Sequence, residues 1–227
     1  MNQYPDPYKI NPPATTYGPT WMHLLTFEIK SRLGRLLWRR PPPLTTTGPN
    51  LLNLGCGDRF VEGWINADFF CGFRFWRSNQ RPDWMWDFRF PLPCPDAVFD
   101  GIFSEHVIEH LYPHHVLALL NELRRVLKPH SWLRITVPDL SKYVAFYISR
   151  NAHFGEWTSG CEAIRALTQD WGHVSVWDIS LLRRYLTAAG FTKIVERSFQ
   201  EGDNPRLLLD DPKRVEETMY CEALKPD

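Results

Sequence analysis

The stretch Leu51-Leu52-Asn53-Leu54-Gly55-Cys56-Gly57 sets the pattern for the rest of the chain, because an apolar strand runs straight into two closely spaced glycines. Glycine carries no side chain, so a ligand can approach the backbone closely at this point. In an open α/β sheet, ligands bind outside the carboxyl ends of the strands, near the point where strand order reverses. A strand followed by Gly-x-Gly also occurs in ordinary tight turns, so the residues that follow must decide its meaning.

Predicted strands and helices alternate from Asn50 onward, which is typical of an α/β fold with helices on both faces of a sheet. We therefore predict a doubly wound, mainly parallel, Rossmann-like sheet. The predicted strands are residues 51–54, 64–68, 99–104, 133–137, 192–196 and 219–223. Two helices are clear from their apolar spacing: one ends before Lys128-Pro129, and the other begins after the N-cap Asp178 and stops at Gly190.

The second predicted strand ends in Asp68, eleven positions after Gly57 (68 − 57). A carboxylate at this place can accept two hydrogen bonds from a ribose diol, although a solvated aspartate at a strand end is the simpler alternative. Only residues 58–63 connect the two strands, whereas a helical crossover takes about a dozen or more residues. A dinucleotide site needs that helix to hold a pyrophosphate. The short connection therefore favours S-adenosylmethionine (SAM), which has no phosphate.

Further segments follow in a recognisable order. They are Trp86-Asp87-Phe88, then 99–111 with Ser104-Glu105-His106, then 122–129, Trp171-Gly172-His173 and Ala188-Ala189-Gly190-Phe191. Together with Gly55-Cys56-Gly57 and Asp68, they make residues 50–223 resemble class I SAM-dependent methyltransferases of the small-molecule type (type 11-like). The individual segments are only moderately specific, but their order is characteristic of that family.

The resemblance implies a set of cofactor-binding residues. Gly55, Cys56 and Gly57, at the end of the strand that contains Asn53, would line the methionine end of SAM, and Asp68 would hold the ribose. Asp87 and Phe88 would flank the adenine, and Ser104 and Glu105 would border the sulfonium. Two features depart from the family: Arg59 stands where a third glycine is common, and the first crossover helix is missing, as in a shortened subset of methyltransferase-like proteins.

The predicted reaction is methyl transfer to a small-molecule or saccharide acceptor, most simply at a hydroxyl. His106 is the first candidate for the general base because it follows the fourth strand directly and imidazole titrates near neutral pH. His173 is the second candidate. Aromatic residues in the region 141–170 either form a wall for a sugar or flat ring or simply pack a lid. A SAM-binding scaffold without catalysis is the alternative function.

The segment His106-Val107-Ile108-Glu109-His110 also matches the inverted zincin motif. A metal-dependent hydrolase is therefore a remote alternative, but the sequence shows no clear third ligand. The ubiquinone-pathway O-methyltransferases, which this segment resembles with His106 in place of a first glutamate, carry Glu-x-x-Glu-His and bind a divalent cation there. Packing and capping by Glu109 and His110 explain the pattern without a metal. We therefore assign no metal ligand from the sequence, and whether a divalent cation binds near His106, Glu109 and His110 stays open.

Composition limits the partners and suggests two regions. The 26 basic and 26 acidic residues cancel, so no nucleic-acid partner is expected. Five scattered cysteines without a Cys-x-x-Cys pair favour the reducing cytoplasm. We predict an extension, residues 1–47, and a SAM-dependent methyltransferase domain, residues 48–227. The extension carries a basic amphipathic helix over about 20–38, which either docks its apolar stripe on the domain or gives residues 20–40 a weak contact with a membrane surface.

Overall fold

A seven-stranded sheet forms the centre of the computed structural model, which describes residues 21–70, 81–149 and 153–227. The strand order is β3-β2-β1-β4-β5-β7-β6. The strands are β1 (Leu51–Leu54), β2 (Ile65–Asp68), β3 (Trp84–Met85), β4 (Phe99–Glu105), β5 (Leu127–Pro138), β6 (Thr192–Arg197) and β7 (Thr218–Leu224). Strands β1 to β5 pair in parallel, and β7 runs antiparallel to both of its neighbours. The predicted doubly wound, mainly parallel sheet is confirmed.

The structure differs most from the predicted strands at β3, which was not predicted, and at β5, which begins earlier than predicted. Strand β3 has only two residues, Trp84–Met85, too few for a recognisable alternation. Strand β5 begins at Leu127 rather than at residue 133, because Leu127 already pairs with Phe99 before a register shift. The Lys128-Pro129 pair that marks the end of the preceding helix therefore lies inside a strand.

Five α-helices surround this sheet in the described part of the chain. They are α1 (Trp21–Leu37), α2 (Pro113–Val126), α3 (Leu140–Ser149), α4 (Gly160–Gln169) and α5 (Ile179–Ala188). Helix α5 begins as predicted, since the Asp178 carboxylate accepts a hydrogen bond of 2.7 Å from the Leu181 N–H. Gly190 ends it with φ at +84°, a conformation that favours glycine.

The connection between β1 and β2 contains no helix: residues 55–64, all of them described, form turns only. The absent first crossover helix is thus a feature of the fold. The other connections place α2 and α5 against the sheet, and they pack against each other. The main core between the layers contains the completely buried Leu52, Leu54, Ile102 and Leu133. A second, smaller core joins α3 to α4.

Helix α1 contacts the domain through its small and polar face rather than through its apolar stripe. Ser31 is completely buried, and a Cβ atom on Gly34 would lie 2.4 Å from the Phe70 ring. The Phe27 ring stacks on that of Phe69 with centroids 4.4 Å apart. Many apolar side chains of the helix are exposed: Met22, Leu24, Leu25, Ile29, Leu33, Leu36 and Leu37. The described structure therefore does not show the stripe docked on the domain.

None of the described helices has the length and apolar character needed to cross a bilayer. Residues 1–20, the first part of the predicted extension, lie outside the described residues, as does Cys71.

Candidate active site

The glycine turn after β1 is built as its sequence predicts. Gly55 and Gly57 have φ angles of +72° and +55°, a region that side chains disfavour. A Cβ on Gly55 would lie 2.2 Å from Cγ2 of Val107, whereas one on Gly57 would meet no atom within 4 Å. The N–H of Gly57 donates to Oδ2 of Asp68 at 2.6 Å. The turn therefore binds to the end of β2 and leaves open space above Gly57.

A cavity of about 950 Å³ extends from this turn along the carboxyl ends of the parallel strands. It brings together seven of the predicted site residues: Asn53, Gly55, Cys56, Gly57, Glu105, His106 and His173. Asp68, Asp87, Phe88 and Ser104 are not among its described lining residues. Asp68 is nevertheless joined to the cavity wall through Gly57.

Asn53 and Ser104 are buried side chains of the central strands β1 and β4, and only Asn53 reaches the cavity wall. The Asn53 side-chain amide donates to the Arg59 carbonyl at 2.8 Å and to Oδ1 of Asn66 at 3.1 Å. Asn53 therefore holds the short β1–β2 connection in place. Ser104 is 1% exposed, and its hydroxyl has no hydrogen-bond partner among the described residues.

Asp87 faces α1 instead of the cavity. Its carboxylate, 2% exposed, accepts hydrogen bonds from the Ser31 hydroxyl at 2.5 Å and from Nη2 of Arg89 at 2.7 Å. Burial alone raises the pKa of Asp87, but the hydrogen bonds from Arg89 and Ser31 outweigh it and lower the pKa below its ordinary value. The neighbouring Phe88 is buried. Their placement beside the adenine stays a prediction.

Arg59 occupies the place of the missing third glycine and reaches across the cavity. Its guanidinium pairs with the Glu105 carboxylate and donates to the Leu209 carbonyl at 2.6 Å. Glu105 also accepts a hydrogen bond of 2.9 Å from the Asp211 N–H. Burial raises the pKa of Glu105. The Arg59–Glu105 pair therefore joins the glycine turn to β4 and to the segment before β7.

Three histidines surround the carboxylate of Glu109 next to β4. Its Oε1 lies 3.4 Å from Nδ1 of His106, 4.0 Å from Nε2 of His110 and 3.9 Å from Nε2 of His173. The two flanking histidines of the inverted zincin motif thus lie near their glutamate. The sequence showed no clear third ligand, and the structure adds a candidate, because the segment after α4 brings His173 to the same carboxylate.

Burial controls the protonation of this cluster. It raises the pKa of Glu109 to about 8 and lowers the pKa of His110 to about 4. Burial also lowers the pKa of His173, and it holds that of His106 well below its ordinary range, with the positive charge of Arg214 adding to the effect. The three imidazoles are therefore neutral at pH 7, with lone pairs available for a proton or a cation.

Arg214 and Thr218 belong to this site, although sequence reasoning did not identify them. Arg214 lines the cavity, and the Thr218 hydroxyl lies 2.8 Å from Nε2 of His106. Strand β7 is antiparallel, so its first residue, Thr218, pairs with Pro138 at the carboxyl end of β5. The polar run before β7 was the available signal, but only the reversed strand direction places it at the site.

The aromatic residues of the 141–170 region serve mainly as packing. Tyr143, Phe146 and Trp157 are buried in the second core with Phe154 against them, while Tyr147 is exposed. Trp157 also lines the cavity, as does Trp171. Residues 150–152 of this region lie outside the described residues.

Comparisons with known proteins identify the family. A family model described as a methyltransferase domain matches residues 25–196, more than half of the 227-residue chain. The chain therefore belongs to this methyltransferase family. With its sheet order it is a class I methyltransferase, and its methyl donor is SAM.

Two solved structures share this fold. A SAM-dependent methyltransferase from Archaeoglobus fulgidus has 18% identity and a TM-score of 0.51, and the match covers 91% of this chain and all of that one. A possible histamine N-methyltransferase from Thermotoga maritima has 14% identity and a TM-score of 0.54, covering 89% of this chain and 90% of that one. At these identities the likeness concerns the fold.

Proposed function

We propose that this methyltransferase acts on a small-molecule or saccharide acceptor and that a hydroxyl receives the methyl group. The observation that carries the proposal is the single cavity of about 950 Å³, which contains both the glycine turn and the histidines. Ligand pockets of roughly 300–1,000 Å³ are typical for small molecules, so a cofactor and a small acceptor fit together. Trp157 and Trp171 on its wall suit a flat ring or a sugar face.

The residues around the glycine turn fit SAM. The space above Gly57 would be filled by a side chain of any other residue, and the Asp68 carboxylate lies at the same turn, where it accepts hydrogen bonds from the Gly57 and Phe69 N–H groups. We assign the methionine end to the 55–57 backbone above Asn53, the ribose to Asp68, the adenine side to Asp87 and Phe88, and the sulfonium side to Ser104 and Glu105. When bound, SAM supplies an activated methyl group.

His106 is the proposed general base. It ends the β4 segment with φ at +51°, an uncommon conformation for a residue with a side chain. Its low pKa keeps the imidazole neutral, and Thr218 fixes the ring through Nε2. His173 is the second candidate, with Nε2 as the free nitrogen because its Nδ1 bonds to the Leu167 carbonyl at 2.8 Å.

Three features support the remaining assignments of partner and location. The balanced charge of the chain offers a nucleic acid little attraction, so no nucleic-acid substrate is proposed. The exposed apolar side of α1, flanked by Lys30, Arg32 and Arg39, supports a weak contact of residues 20–40 with a membrane surface. Cys94, Cys161 and Cys221 are free thiols, which supports a cytoplasmic location.

Calorimetry with SAM and the variant Asp68→Ala tests the cofactor assignment. Loss of charge-assisted ribose contacts should weaken binding roughly 10- to 150-fold. The surface variant Asp96→Ala, whose side chain is 75% exposed, is the control and should bind SAM like the parent. Equal affinity of the Asp68→Ala variant and the parent would remove Asp68 from the site.

Turnover of labelled SAM with a panel of hydroxylated acceptors tests the enzyme and its base. His106→Ala should lower kcat by about 10²- to 10⁴-fold while SAM affinity stays within about threefold. His114→Ala, an exposed histidine of α2, is the matched control. A loss of kcat below about fivefold would reject His106 as the base, and SAM binding without transfer to any acceptor would favour the scaffold alternative.

A further inference from the structure

Glu109 presents a buried carboxylate that has three histidines around it but accepts no hydrogen bond from any described residue. The side chain is 1% exposed, and neither carboxylate oxygen accepts a hydrogen bond within the described ranges. An isolated buried carboxylate is strongly unfavourable, so it must carry a proton or meet a cation. The more distant charges that act on it are mixed, because the positive charge of Arg214 is opposed by the negative charges of Glu217 and Glu105.

The imidazole of His173 is oriented to present an electron pair to Glu109. Its Nδ1 lies 2.8 Å from the Leu167 carbonyl oxygen, which can only accept, so Nδ1 carries the hydrogen and Nε2 is bare. Nε2 lies 3.9 Å from Oε1 of Glu109. An imidazole held by a backbone carbonyl through its other nitrogen is the usual arrangement around a ligated metal.

His110 completes the group from the other side. Its Nε2 lies 4.0 Å from Oε1 of Glu109, and its ring packs edge-on against that of His173 with centroids 4.9 Å apart. One ligand atom from each of Glu109, His110 and His173 lies within 4.8 Å of the other two. Three electron-pair donors therefore converge on one point beside the cavity.

We propose that Glu109, His110 and His173 bind a divalent transition-metal ion of the zinc class. With bonds of about 2.0–2.1 Å, the ligand atoms of a tetrahedral ion lie about 3.3 Å apart, so side-chain shifts of about half an ångström close the site. Two imidazoles and one carboxylate suit Zn²⁺ or Co²⁺, whereas Mg²⁺ and Ca²⁺ prefer oxygen ligands.

If the proposed function is correct, the ion would also bind the acceptor during the reaction. The His110 side chain is 40% exposed, and both His110 and His173 line the cavity. Three protein ligands leave a coordination position that faces an acceptor. A hydroxyl or carboxylate oxygen of the acceptor fits there, and a hydroxyl bound to the ion loses its proton more readily. His173 is then a metal ligand, and His106 is left as the base.

Titration of Zn²⁺ and Co²⁺ into the chelator-treated full-length protein tests the site. We expect one equivalent of either metal to bind, with Co²⁺ giving visible absorption bands. Glu109→Gln and His173→Gln should each weaken binding by at least about 100-fold, the upper end of what loss of an outer-shell partner costs. The control His114→Ala should retain the affinity of the parent. Thermal scans without metal check folding, and Zn²⁺ should raise the Tm of the parent but not of Glu109→Gln.

Failure of the parent to bind one equivalent, or unchanged affinity in Glu109→Gln and His173→Gln, would overturn the metal site. Loss of binding in His114→Ala alone would show an adventitious surface ion and would overturn it as well. SAM calorimetry on the same samples separates the two proposals. If the protein binds SAM but does not bind Zn²⁺, only the metal site is rejected. If it binds Zn²⁺ but transfers no methyl group to any acceptor, only the proposed function is rejected.

Discussion

Replacing Ser31 with alanine should detach α1 from the domain in part. The Ser31 hydroxyl donates a hydrogen bond of 2.5 Å to the buried Asp87 carboxylate. A hydrogen bond to a charged group contributes about 1.5–3 kcal/mol to the free energy of unfolding. Asp87 keeps its bonds to Arg89, so the lower half of that range applies. Alanine has a higher helix propensity than serine, which offsets about 0.5 kcal/mol of this loss. The net loss is about 1–2 kcal/mol, which lowers the Tm by about 2–8 °C at this chain length.

The pH dependence of that loss identifies its source. Because the folded pKa of Asp87 is lowered, its ionised form stabilises the protein above the unfolded pKa of about 3.9, and this contribution is lost as pH falls through the lower, folded value. Scanning calorimetry of the parent and Ser31→Ala at pH 7, 5 and 3 should show the difference in Tm shrink at acid pH. Thr26→Ala, an exposed hydroxyl of the same helix, is the control. A difference in Tm below about 1 °C at pH 7 would refute the anchoring role.

Three further predictions concern the turn, the core and the extension. Gly55→Ala should destabilise the protein more than Gly57→Ala, because a Cβ at Gly55 collides with Val107 at 2.2 Å whereas one at Gly57 meets open space. In urea denaturation, the free energy of unfolding should fall by about 1–2 kcal/mol for Gly57→Ala and by more for Gly55→Ala. Equal losses in the two variants would contradict the contact with Val107. Asp210→Asn removes a charge from the completely buried pair with Arg134 at 2.6 Å, so it should cost about 3–5 kcal/mol in the same assay, and a loss below about 1 kcal/mol would show that Glu222 alone suffices. Deleting residues 1–43 should abolish sedimentation with anionic vesicles, using neutral vesicles as the control, and unchanged sedimentation would reject a membrane contact by α1.

The sequence was informative where one local pattern had one structural meaning. The apolar run that leads into two glycines at 51–57 predicted the strand and a turn with room for a ligand after it, because both depend on adjacent residues only. Asp178 and Gly190 marked the ends of α5 for the same reason. These features depend on the backbone of a few neighbouring residues.

Features that depend on distant contacts were not predictable in this way. His173 meets Glu109 across 64 positions (173 − 109), and Thr218 reaches His106 only because β7 runs antiparallel. The periodicity of α1 predicted an apolar stripe, but not that Ser31 and Gly34 would face the domain, since a buried carboxylate and the Phe70 ring decide that.

The hydrogen bond between Ser31 and Asp87 couples the position of α1 to the loop after β3. Consider one ligand that binds α1 better when the Ser31–Asp87 hydrogen bond is broken, and a second ligand that binds the released Asp87 carboxylate. Each ligand then raises the affinity of the other, and by linkage the two factors are equal. The contact itself limits that factor: about 1–2 kcal/mol corresponds to roughly 5- to 30-fold. The helix can therefore change the affinity of the proposed adenine site only within that range, and it cannot switch that site fully on or off.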